Sequence, residues 1–131
     1  MKKHPEREFD NLRQSIEDLG HALSFTAQAK EDPFYFRGIA KSFEISVEYA
    51  WKYFQRCAID EGLEAFSPKD AIKMAGRLGM IGDVEAWLEF LENRNLAVHN
   101  YLGLLESEFL LSIQSYLREA KKIVRRETKT S

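Results

Sequence analysis

The sequence predicts an all-α fold, a bundle of four to five helices, and three observations carry that prediction. Apolar residues recur at spacings of three and four along the chain. Period-two alternation never survives more than a few residues, which excludes a sheet as the main scaffold. Between the periodic stretches stand residues that cap or stop helices.

Phe9, Leu12, Ile16, Leu19 and Leu23 step by three or four, so a first helix runs from about Glu6 to Lys30. The Glu31-Asp32-Pro33 break ends it. From Tyr35 to about Glu61, apolar residues at Phe36, Ile39, Ala40, Phe43, Val47, Ala50, Trp51, Phe54, Cys57 and Ala58 cover a face too broad for a surface helix. This predicts a central helix packed on two sides, stopped by Gly62. Ser67 caps a short third helix, with Pro68 supplying the φ of the first turn, and that helix ends near Gly79. Asp83 caps a fourth helix carrying Val84, Trp87, Leu88, Leu91, Val98 and Leu102, which Gly103 breaks or bends. A fifth helix from about Glu106 buries Phe109, Leu110, Ile113, Leu117, Ala120 and Val124, then frays into a basic tail over about 122–131.

The 131 residues suit one helical-bundle domain, 1–131, which buries roughly two-thirds of its unfolded surface without disulfide or metal. The lone cysteine, Cys57, can form no internal disulfide, and a reducing cytoplasm suits that usage. MKKHPEREF has no apolar stretch behind it, and no apolar run approaches the roughly 18 residues that span a bilayer. The chain therefore reads as cytoplasmic, with no membrane partner. With 19 Lys and Arg against 21 Asp and Glu, the net charge of -2 gives no broad basic field, so any RNA binding must be local. Lys121, Lys122, Arg125, Arg126 and Lys129 crowd the last stretch, where they complement the helix dipole.

The segment Asn93 to Tyr101, NRNLAVHNY, sets several polar side chains at the end of an otherwise apolar helix. At about 100° per residue, Arg94 and His99 flank the stripe of Val84, Trp87, Leu88, Leu91, Val98 and Leu102, and Asn95 falls within it. An amide buried there needs a partner or a ligand, since leaving it unpaired costs about 1–3 kcal/mol. Arg94 and His99 do not stack on one straight helix, so their convergence requires a helix end or a second subunit, which predicts a homodimer. The plainer reading makes both of them ordinary boundary residues.

Other patterns carry less. Asp18 and His21 form half of a carboxylate-x-x-His metal motif, but His99 has Leu96 three residues before it, so no metal is expected. Gly76-Arg77-Leu78-Gly79 has the letters of a GxxG loop without the strands that loop requires. Phosphate-loop, dinucleotide, serine-hydrolase and zinc motifs are absent from the sequence. Phe34, Tyr35, Phe36, Tyr49, Trp51 and Tyr53 could stack on bases, but their helical spacing favours core packing. Glu44, Glu48 and Lys52 at successive i,i+4 steps predict an exposed, ion-paired face.

Arg94-Asn95-Leu96-Ala97-Val98-His99 fits the R-x4-H signature of the HEPN superfamily, and Tyr101 extends it to R-x4-H-x-Y. FEISVEYAWKYF, SPKDAIKMAGRLGMI and EAWLEFLENRNLAVHNY resemble, in order and spacing, the HepT-like nucleotidyltransferase substrate-binding branch. The resemblance covers nearly the whole chain. It implies an up-and-down bundle that forms homodimers and pairs with a separately encoded minimal nucleotidyltransferase, in related members as toxin and antitoxin. It also implies that His99 acts as general acid or base for attack by a ribose 2′-OH, without metal or cofactor. Arg94 would stabilise charge on the phosphate and Asn95 would orient it. Tyr101 matches the tyrosine that the partner adenylylates. Three readings follow: a nucleotide- or RNA-binding partner subunit of a nucleotidyltransferase, a metal-independent endoribonuclease toxin, and a non-enzymatic helical adaptor.

Overall fold

Asp32 opens the longest helix. Its carboxylate accepts the Phe34 N–H at 2.9 Å, and Pro33 fits the first turn. The computed structural model describes residues 5–98 and 106–130, with side chains over 5–96 and 106–128. Its helices are α1 (Glu6–Leu23), α2 (Thr26–Ala29), α3 (Pro33–Asp60), α4 (Pro68–Arg77), α5 (Val84–Val98) and α6 (Glu106–Thr130). Among the described residues there is no strand, and no helix is long and apolar enough to cross a membrane. As its broad apolar face predicted, α3 is central: α1, α2, α4 and α5 all pack against it.

Six described helices exceed the four to five expected, because the first predicted helix is interrupted. Ser24 and Thr26 turn their hydroxyls back onto the carbonyls of His21 and Leu23, each at 2.6 Å. Such local bonds compete with the helical ladder. The Phe25 ring stacks on Tyr35 at 5.6 Å, tying the break to α3. The remaining punctuation follows the sequence. Gly62 and Gly79 take φ of 79° and 75°, a conformation that favours glycine. Ser67 accepts the Asp70 N–H at 3.1 Å, and Asp83 accepts the Ala86 N–H at 3.0 Å. In place of a frayed tail, α6 continues to Thr130, with Ile123 buried and Arg126 donating to the Gly79 carbonyl.

The core is an aromatic chain. Trp87 meets Phe54, Phe90 and Tyr116 at ring separations of 5.2, 5.4 and 5.5 Å, joining α3, α5 and α6. Through it runs a string of hydroxyls: Tyr116 Oη is 2.7 Å from Ser46 Oγ, which is 3.0 Å from Ser15 Oγ, which is 2.7 Å from the Leu12 carbonyl. Each hydroxyl has one hydrogen and the carbonyl can only accept, so the protons point from Tyr116 toward α1.

Burial raises the Tyr116 hydroxyl well above its usual range. Burial likewise raises Tyr53, helped by Cys57 and Glu127 beside it, and pushes the Cys57 thiol up from 9.0 to about 12. Above pH 9.0 the unfolded chain loses a thiol proton that the folded chain keeps until about pH 12. Unfolding then releases protons, so stability is full below that window and falls as pH rises through it. Urea midpoints from neutral to alkaline pH should fall in this direction; a flat profile would show these groups to be already accessible.

Candidate functional site

At about 100° per residue, Trp87, Phe90, Leu91 and Arg94 share one face of α5, and the first three are buried. This face is rotated by roughly 55° from the stripe expected from the sequence. Arg94 consequently sits on the inward face, and not on its rim. Asn95 is exposed rather than buried, beside an open groove that Lys69, Glu85 and Leu88 also line. The amide that goes inside is Asn93, 7 % exposed, which donates to Ser112 Oγ at 2.6 Å and ties α5 to α6. Phe90, absent from the expected stripe, is buried against Trp87 and Tyr116 and sets this rotation.

With its side chain 25 % exposed, Arg94 meets Glu48 of α3: Nη2 donates to Glu48 Oε2 at 2.8 Å. Its Nη1 donates to Asn95 Oδ1 at 3.0 Å. Its Nε is enclosed and has no hydrogen-bond partner among the described residues. Glu48, expected on an exposed face, is only 30 % exposed, and the Trp51 indole N–H donates to the same oxygen at 2.8 Å. The other oxygen lies 3.9 Å from Lys52 Nζ. Unlike the i,i+4 pairs Arg13–Glu17 and Arg56–Asp60, the Arg94–Glu48 pair bridges two helices. A tryptophan three residues after a glutamate was the available sequence signal, since an indole N–H that is half-buried seeks an acceptor.

His99 and Tyr101 lie outside the described residues, so of the four site residues the structure brings together Arg94 and Asn95. Asp18 and His21 both line a groove with Phe25, Phe34 and Tyr35. Among the described residues no three His, Cys, Asp or Glu side chains gather as a metal set. The guanidinium can accept an anion: it is a fixed fork of donors with one edge on a carboxylate and another on a neutral amide that an incoming oxygen could replace.

Fold and site define an all-helical protein in which a carboxylate-held arginine stands near the end of α5. The family model described as "Nucleotidyltransferase substrate binding protein like" matches residues 7–129, and the chain belongs to that family. It is 32 % identical over 60 residues to a Haemophilus influenzae protein described as a probable ribonuclease HepT. That match spans 45 % of this chain and 41 % of that protein, so less than half of the relative's length is covered. The fold is similar to that of a Shewanella oneidensis HEPN toxin, solved tri-AMPylated and in complex with an MNT antitoxin, with a TM-score of 0.82, 14 % identity and 100 % of both chains covered.

Proposed function

We propose that this chain is the nucleotide- or RNA-binding partner subunit of a separately encoded minimal nucleotidyltransferase, in a cytoplasmic toxin-antitoxin pair. The observation that carries the reading is Arg94, a half-buried guanidinium fixed between α3 and α5 with a replaceable neutral acceptor at Asn95. Family membership and the likeness to a toxin solved with its antitoxin support the pairing. A second reading, a metal-independent endoribonuclease, is favoured by the R-x4-H spacing and the similarity to a probable ribonuclease. There Arg94 stabilises the phosphate, Asn95 orients it, and His99 moves the proton.

Coexpression tests the pairing. The chain alone should slow growth of its host, and the nucleotidyltransferase should relieve this and copurify. Indifferent growth with no copurification would leave a helical adaptor as the surviving reading. In the same system with ATP and Mg²⁺, Tyr101 should gain adenylyl mass. A bulky anion there, seven residues from Arg94 and at nearly its angular position if the helix persists, would occupy the space an RNA phosphate needs. A gain that survives Tyr101→Phe would defeat this switch. A homodimer is expected as well, and a monomer by light scattering at micromolar concentration would remove the composite site.

A further inference from the structure

The Arg94 guanidinium holds two different neighbours. Glu48 Oε2 takes Nη2 at 2.8 Å and the Trp51 indole N–H at 2.8 Å, so donors from two helices fix it. On Nη1 sits the uncharged amide oxygen of Asn95, at 3.0 Å. An arriving anion replaces Asn95, because displacing Glu48 would strip a half-buried carboxylate of its cationic donor, whereas Asn95 is neutral and exposed. The incoming group then stands roughly 6 Å from the Glu48 charge, with the guanidinium between them. Lys52 offsets little of that charge, being 3.9 Å from the other oxygen with half of its side chain in water. Glu44, one turn earlier and only 15 % exposed, carries the same sign but has Lys41 Nζ 4.0 Å away, so Glu48 is the charge that counts.

Charge on the ligand decides what this arrangement accepts. A phosphodiester carries one negative charge, and a phosphomonoester carries two once the pH exceeds a second pKa of about 6. A lone arginine would favour the second. At roughly 6 Å and an intermediate effective dielectric, a fixed carboxylate takes back about tenfold in affinity for each charge on the ligand. We propose that Glu48 is a specificity-determining residue: held on Arg94 by Trp51, its carboxylate cancels the advantage of a doubly charged terminal phosphate, so the site takes the phosphodiester links of a polynucleotide. This rests on the reading of Arg94 as a phosphate contact and selects polynucleotide over mononucleotide.

The test is equilibrium binding, at about pH 8 where the monoester is doubly charged, of adenosine monophosphate and its singly charged methyl ester. The parent should bind the two within about threefold, whereas E48Q, which keeps an acceptor for Trp51 and loses the charge, should shift the ratio about tenfold toward the monophosphate. An unchanged ratio in E48Q overturns the role of Glu48. So does a parent that already prefers the monophosphate tenfold, an outcome that needs no variant to fold. Arg94→Ala separates the layers: if it binds both ligands as tightly as the parent, the phosphate reading itself fails. Binding of neither ligand by any of the proteins overturns both.

Discussion

On the endoribonuclease reading, replacing His99 with alanine should lower RNA cleavage by about two to four orders of magnitude, the usual contribution of a positioned general acid or base. Helicity and melting temperature should barely move. Arg94→Ala should cost comparable activity for a different reason, since it removes the donor fork from the developing phosphate charge. It should also cost stability, because Glu48 loses its partner from α5 while staying half-buried. Single-turnover cleavage of a fluorogenic RNA, paired with thermal melts, separates the two. If His99→Ala cuts as fast as the parent, His99 moves no proton, and the chain is left as a binding subunit.

Trp87→Ala should be the most damaging core change, at about 3–5 kcal/mol. The ring is 2 % exposed and touches aromatic rings of α3, α5 and α6 together, so no one helix can close the hole. It lies two turns before Arg94 on the same face, so the truncation also loosens the seat of the guanidinium. Phe34→Ala is the control: 74 % exposed, it should change stability by about 0.5 kcal/mol or less. Urea unfolding of both variants decides the matter, and a cost below about 1 kcal/mol at Trp87 would mean that the neighbouring rings repack freely.

Local chemistry made most of the fold legible. Ser67 and Asp83 cap the helices that their hydroxyl and carboxylate announced, and Gly62 and Gly79 stop helices with positive φ. Side-chain competition was less visible, because Ser24 and Thr26 interrupt a helix expected to run on to Lys30. At the site, the helix was right and its rotation was not. A stripe that lacks Phe90 turns Asn95 inward, whereas the packing of Phe90 on Tyr116 and Trp87 sets Asn93 inside and Arg94 against α3. Glu48 looked like one more surface acid because its partners are an indole on its own helix and a guanidinium 46 residues away. Periodicity reports which side of a helix is oily; it does not report which charge waits on the neighbour.

The three hydroxyls strung from Tyr116 to Ser15 bear on how the ends of the chain find their places. Oily faces tolerate sliding, since a leucine displaced by one turn still meets something greasy. The hydroxyls do not tolerate it. Slipping the last helix by a turn against the central one would separate Tyr116 from Ser46 and strand oxygens in a dry interior, at about 1–3 kcal/mol each. Ser15 and Ser46 are 31 positions apart, and Ser46 and Tyr116 are 70 apart. The string is therefore completed only after both ends have come home, and it works as a vernier that reads their alignment and rejects near misses that the aromatic core alone would accept.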